Sequence, residues 1–390
     1  MKQNKNKLAF IVSTAFLAAP ASAVSLINYE PTGTKLDFVG SARLQWKTEA
    51  VKKTEYDDGK VDSITKEAKN HPIQNNGSRF GFKLNQSLGN DLYGLGRVEW
   101  RFRGKDNRGN RTPSNHDFDH LYARQLYAGI GHNKYGELTY GNQTVITDEV
   151  KQTDLANTLS LSDGLLTSGM RRSIQYAYRN KDQGIKAGVY YSGGSKRDNN
   201  GLTFLDDDDS IQELKDAWGT GAVKTFKIDD KQEFILSGGV TRERFTQRNN
   251  APDRTETAYA VGTAYTYDNT TIGLDVERGI YKNHEEAGRK ITENEIRSVI
   301  YQKLTSDWRA YGMYAYKTQK RDEVGESSAR KKKKHQFMLG TEYYLIPKSK
   351  PFSVKTFAEV QANRTKSYRR GDLREKEREY ITVVGLRAYW

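Results

Sequence analysis

The chain has 390 residues, with 63 Lys+Arg against 49 Asp+Glu, 35% hydrophobic residues, 11% aromatic residues and no cysteine. The missing cysteine excludes a disulfide scaffold, a Cys-ligated zinc site and a thiol nucleophile, and a mean hydropathy of −0.85 without an apolar run near about 18 residues beyond position 23 excludes a helical membrane protein. The aromatic content speaks against disorder, so the polarity belongs to a folded protein, and the net charge of +14 suits nucleic acid, an anionic membrane surface or anionic solutes.

The first element resolves that choice. Residues 1–7 form a basic stretch, 8–19 a short apolar one, and Ala21-Ser22-Ala23 a small-residue cleavage site. Together they read as a secretory signal peptide, too short for a membrane anchor. The mature chain is expected to begin at Val24, to carry +11 of the +14 once Lys2, Lys5 and Lys7 are gone, and to leave the cytoplasm. Nucleic acid is not an expected partner.

From Lys35 to Lys47 residues alternate: Leu36, Phe38, Gly40, Ala42, Leu44 and Trp46 share one face, while Lys35, Asp37, Ser41, Arg43, Gln45 and Lys47 share the other. Period two marks a strand. Similar segments recur at 75–88, 92–103, 120–131, 137–143, 172–180, 184–192, 218–228, 232–243, 257–267, 271–278, 294–304, 308–318, 335–346, 351–362 and 379–390, sixteen in all.

The connections alternate in length. Short ones, such as Gly89-Asn90-Asp91 and Asp268-Asn269-Thr270, carry tight-turn residues. Long ones cover 48–74, 104–119, 144–171, 193–217, 244–256, 279–293, 319–334 and 363–378. An even number of antiparallel strands of about ten residues, with short turns on one rim and long loops on the other, is the pattern of an outer-membrane β-barrel. Lipid offers no partner to an open strand edge, so the sheet must close. The expected fold is all-β, a sixteen-stranded antiparallel transmembrane barrel over 24–390 with short periplasmic turns and long extracellular loops.

Several stretches in this chain resemble the general porins of Gram-negative bacteria, most of all the major porins of the Pasteurellaceae type. They are Asn76-Gly77-Ser78-Arg79-Phe80, residues 123–130 and 135–143, Tyr178-Arg179-Asn180, and a final strand that places Tyr380, Thr382, Val384, Leu386, Ala388 and Trp390 on one face. The resemblance runs from Val24 to Trp390. It implies a homotrimer, a water-filled passage for small hydrophilic solutes and ions, and an aromatic C-terminus at Trp390 read by the barrel-assembly machinery. Two departures stand out. Ala388 occupies a place usually filled by a bulky residue, and Ser160-Leu161-Ser162-Asp163-Gly164-Leu165-Leu166 replaces the Pro-Glu-Phe-Gly-Gly type sequence of the third loop.

A porin selects by pore width and fixed charge. The resemblance implies that loop 144–171 folds inward to form a constriction, offering Asp148, Glu149, Asp154 and Asp163. Strand phase turns Arg43, Arg79, Arg97, Arg101 and Arg124 to the lumen, because their neighbours Ala42, Leu44, Phe80, Val98, Trp100 and Gln125 fall on the other face, and arginine at the lipid midplane costs roughly 2–4 kcal/mol. The resemblance adds Arg179 to this wall. With Glu99 counted among the acids, five phased cations meet five acids, which predicts weak selectivity with a transverse field, leaning toward anions only if some of the loop acids point away.

Other motifs yield less. His116, Asp117, Asp119 and His120 lack a third ligand at a recognised spacing, and Asp206–Asp209 lacks the EF-hand pattern, so no metal or other cofactor is expected. Gly219-Thr220-Gly221 is strand glycine rather than a dinucleotide fingerprint. Arg330 to Lys334 is an expected surface loop meeting lipopolysaccharide phosphates. No catalytic arrangement emerges from the spacing, so an enzyme is not expected. The rival reading is a barrel acting as a surface adhesin or host-factor receptor.

Overall fold

The computed structural model describes residues 23–103, 118, 120–161, 164–194, 213–246, 252–284, 287–324 and 328–390. Its first strands are β1 (Val24–Tyr29), β2 (Thr34–Asp57), β3 (Lys60–Asn75), β4 (Arg79–Gly89), β5 (Leu92–Arg103) and β6 (His120–His132). Next come β7 (Gly136–Thr144), β8 (Gly169–Asn180), β9 (Ile185–Ser192), β10 (Glu213–Lys227), β11 (Gln232–Thr246) and β12 (Arg254–Tyr267). The series ends with β13 (Thr270–Lys282), β14 (Lys290–Lys303), β15 (Trp308–Arg321), β16 (Arg330–Ile346), β17 (Ser353–Arg369) and β18 (Asp372–Tyr389). No helix among the described residues is long and apolar enough to cross a membrane.

These segments fill sixteen positions around a closed antiparallel barrel. Both β3 and β4 pair with β2, the first from Leu44 to Asp57 and the second from Thr34 to Ser41, so they form one strand broken at Asn76-Gly77-Ser78. At this break Gly77 has φ +72°, and the Arg101 guanidinium fills the space a Cβ would need. In the same way β18 pairs with β2 from Ser41 to Glu55 and β1 pairs with it from Thr34 to Phe38, so the chain's two ends share a position. Trp390 closes the seam through backbone hydrogen bonds of 2.8 and 3.2 Å with Gly40.

Burial is inverted relative to a soluble protein. Along β13, Ile272, Leu274 and Val276 are exposed to the outside, whereas Asp275 and Glu277 are buried inside. Apolar residues turned outward on every side and charge turned inward fit a barrel whose outer solvent is lipid. The short connections fall at one rim, where Asn90, Asp91 and Asp268 take up positive φ, a conformation Asn and Asp tolerate.

Three expectations need correction. Arg330 to Lys334 is not a surface loop but the start of β16, paired with β15 and β17. Residues 48–74 and 363–378 are not irregular loops: β2 and β3 run on to a turn at Asp58-Gly59, and β17 and β18 to a turn at Arg370-Gly371. Their period is still two, but charged residues occupy both faces, which removes the apolar signature by which strands are read. The short β1 was also missed, because six residues are too few for the alternation to register.

Candidate functional site

Strand β5 carries the centre of one lumen wall. Glu99, 4% exposed, lies 2.5 Å from Arg97 on its own strand, 2.7 Å from Arg124 on β6 and 3.5 Å from Arg79 on β4. A single carboxylate thus organises three guanidiniums, each held by a charge-assisted contact. Arg43 on β2 donates through Nε to Ser41 Oγ at 2.9 Å, and Arg101 packs against the Gly77 break. Arg387, which sequence reasoning passed over, stands across the seam from Arg43 in strand register. Its inward phase was legible between the outward Leu386 and Ala388. Among the described residues, no carboxylate lies within ion-pair distance of Arg43, Arg101 or Arg387.

Arg124 faces the lumen for a different reason from the one phase suggests. Gln125 pairs with Glu99 and Ala123 with Trp100, leaving Arg124 unpaired in a bulge. Gln125 is itself buried on the inner side and donates to Thr144 Oγ1 at 3.1 Å. Simple alternation would send Arg124 outward with Leu126; the extra residue re-aims it at Glu99.

Residues 144–171 leave β7, form a 3-10 turn at Ile146–Val150 and return to β8. Val145 and Ile146 pack with Tyr190, Leu214, Ala217 and Phe245. Val150 and Leu166 meet Ala258 and Ala260, while Leu159 and Leu161 reach Tyr311, Met338, Phe357 and Val383. The segment therefore lies along the inner faces of β9 through β18. Its backbone N–H groups have no strand to pair with there, and wall carboxylates accept them instead.

Asp275 takes the N–H groups of Gln152 and Thr153 at 2.9 and 3.1 Å. Glu359 takes those of Asn157, Thr158 and Leu159 at 2.7 to 2.9 Å, and Glu277 takes that of Leu165. Arg297, fully buried between these acids, binds Asp275, Glu277 and Glu295. At the tip, Asn76 Nδ2 donates to Thr158 Oγ1 at 2.7 Å, so the segment also touches the β3–β4 break. The guanidinium cluster stands on another part of the wall, from β4 to β6 with the adjoining parts of β2 and β18.

The loop acids differ in availability. Glu149 is held by Arg179 at 2.7 Å and Lys186 at 3.2 Å, which makes Arg179 a tie between loop and β8 rather than part of the guanidinium cluster. Asp148 lies 3.3 Å from Lys151. Burial pulls the Lys151 ammonium down, but Asp148, Asp154 and Glu277 outweigh it and hold the pKa above its ordinary value. Asp154 is exposed and accepts from Ser160 Oγ at 2.8 Å. Asp163 lies outside the described residues, as do His116, Asp117, Asp119 and Asp206–Asp209. The wall carboxylates and Arg297 were not singled out from sequence, although Leu274-Asp275-Val276-Glu277 shows the alternation that turns them inward.

A closed sixteen-position barrel with an apolar outside, a charged lumen and a segment folded into it defines an outer-membrane diffusion channel. The family of Gram-negative porins matches residues 8–322, and the chain belongs to that family. It is 30% identical over 202 residues to a major outer membrane protein of Pasteurella multocida strain Pm70, a match spanning 51% of each chain. To a second Pasteurella multocida major outer membrane protein it is 27% identical over 299 residues, 74% of this chain and 77% of the other. To outer membrane porin F of Salmonella typhimurium it is 25% identical over 312 residues, 75% and 72% of the two chains. The chain thus spans about half of the first relative and about three quarters of the others. Among solved structures, a loop L8 deletion mutant of OmpT from Vibrio cholerae superposes with a TM-score of 0.61 at 19% identity, covering 92% of this chain and 99% of the other.

Proposed function

We propose that solutes cross this outer-membrane porin through a constriction bounded by residues 144–171 on one side and the β4–β6 guanidinium wall on the other, with a preference for small hydrophilic anions. The observation that carries this reading is the single Glu99 set among Arg79, Arg97 and Arg124, with Arg43, Arg101 and Arg387 left as surplus cations. In a narrow passage screening is incomplete, so fixed charges at its wall set selectivity. Of the loop acids, Glu149 is neutralised by Arg179 and Lys186 and Asp148 by Lys151, which leaves Asp154 as the exposed counter-charge among the described residues.

The rest of the reading follows the family. The leader 1–23 is removed, the barrel 24–390 assembles as a homotrimer through the barrel-assembly machinery, Trp390 serves as the assembly signal, and passage is by diffusion without bond chemistry. Purified protein added to a planar phospholipid bilayer should give stepwise conductance that rises in proportion to salt. A protein that inserts as a folded barrel and gives no conductance would overturn the channel reading in favour of a surface receptor.

A further inference from the structure

The break at Asn76-Gly77-Ser78 does more than interrupt a strand. Asn76 N donates to Arg43 O at 2.9 Å, Arg43 N donates to Ser78 Oγ at 2.9 Å, and Ser78 Oγ donates back to Arg43 O at 3.3 Å. The backbone of Arg43 is thus held at both its polar groups. Phe102, next to Arg101, is tied to the same break, with its N–H donating to Ser78 O at 3.0 Å and its carbonyl accepting from Asn75 Nδ2 at 3.2 Å. The Arg101 guanidinium lies in the space left by the missing Cβ of Gly77.

The Asn76 side chain joins this junction to the inward segment. A carboxamide has two N–H donors, and Asn76 Nδ2 donates to Gln45 Oε1 on the buried inner side of β2 and, at 2.7 Å, to Thr158 Oγ1. One donor anchors the amide to the wall and the other holds the tip. The preceding residue, Asn157, is fastened elsewhere, through Nδ2 to Tyr311 on β15 and Glu342 on β16, and through its backbone N–H to Glu359 on β17. Two consecutive tip residues are therefore pinned to two sectors of the barrel.

We propose that Asn76 is a positioning residue for the constriction, fixing the tip of the inward segment at a set distance from Arg43 and Arg101 and so setting the size of solute that passes. The inference rests on reading residues 144–171 as one side of the constriction. Asparagine suits the place because aspartate would offer no donor and serine only one. A single bond between neutral groups contributes modestly to stability, so its loss frees the tip without dismantling the barrel. Arg43 and Arg101 are held by backbone bonds and by Gly77, not by the carboxamide, so removing the amide alters width and leaves the fixed charge in place.

The test uses Asn76→Ala and Thr158→Val, which remove the donor and the acceptor of one bond, and the double variant, each recorded in planar bilayers. Either single variant should raise the permeability of gluconate relative to chloride by about twofold, with the reversal potential in a potassium chloride gradient unchanged. The double variant should go no further than either single one. A merely structural role would lower the yield of folded barrel and leave the permeability ratio where it was. Thr158→Val lies outside the strands and reports on the bond even where Asn76→Ala fails to assemble. Because the chain has no cysteine, Asn76→Cys combined with Thr158→Cys can be bridged by a short bifunctional thiol reagent, which should return the ratio to the wild-type value until the bridge is reduced. An unchanged ratio in both single variants, or a bridged pair that still passes gluconate freely, would overturn the proposal. Failure of the channel reading itself is distinguishable, since it would show as an absence of conductance in the unmodified protein.

Discussion

Arg43 and Arg387 stand directly opposite each other in register on β2 and β18, two guanidiniums facing across the seam that closes the barrel. Like charges placed directly opposite destabilise a strand pair by about 0.2–1 kcal/mol, so the local fold gains nothing from this pairing. The gain is in the lumen, where the surplus charge meets solutes. Replacing Arg387 by Gln is expected to leave thermal stability unchanged or slightly raised, while shifting the salt-gradient reversal potential toward cations. A loss of stability without a change in selectivity would make Arg387 a structural residue.

Glu99 holds three arginines that would otherwise repel one another. In Glu99→Gln the wall gains net positive charge and loses its organising acceptor. The reversal potential should move further toward anions, and barrel stability should fall by about 1–3 kcal/mol, the cost of leaving charged donors without their partner. Urea or guanidinium unfolding of the reconstituted variant, together with bilayer recording, checks both effects.

Glu359 accepts three successive backbone N–H groups from the inward segment. Bonds to a charged acceptor contribute about 1.5–3 kcal/mol each, whereas the other polar ties of that stretch run through side chains, from Asn157 Nδ2 to Tyr311 and Glu342 and from Asn76 to Thr158. Glu359→Ala should release the tip of the segment without dismantling the barrel. The expected record is a larger and noisier single-channel conductance, with the heat-stable folded form retained on gels.

Trp390 lays its indole ring over Gly40, with Phe38 at 6.2 Å between ring centroids. A side chain at position 40 would occupy the space of the indole. Deleting Trp390 and substituting Gly40→Val are therefore both expected to lower the yield of closed barrel in the outer membrane. An undiminished yield from Gly40→Val would show that the ring is free to move aside.

Strand positions were legible because lipid demands an apolar residue at every second place, a requirement visible in stretches such as Ile272, Leu274 and Val276. The same rule hid the raised part of the sheet, since above the membrane both faces are polar and nothing distinguishes strand from loop. Arg124 illustrates a further limit: a bulge changes the phase, and composition at 123–126 carries no sign of it. The path of the inward segment was invisible for a topological reason. Asn157 meets Glu359 across more than half the chain, and no local pattern records a backbone group captured by so distant a carboxylate. The family resemblance supplied the existence of the inward loop, whereas its fastening by Asp275, Glu277 and Glu359 came from the geometry.

Selectivity is assigned to surplus guanidinium charge at the constriction. Reversal potential across a tenfold salt gradient, recorded for wild-type protein and for the combined Arg43→Gln, Arg101→Gln, Arg387→Gln variant, tests it most directly. The prediction is anion selectivity in the wild type and a clear shift toward cations in the variant. A cation-selective wild-type channel, or a variant with an unchanged reversal potential, would contradict it.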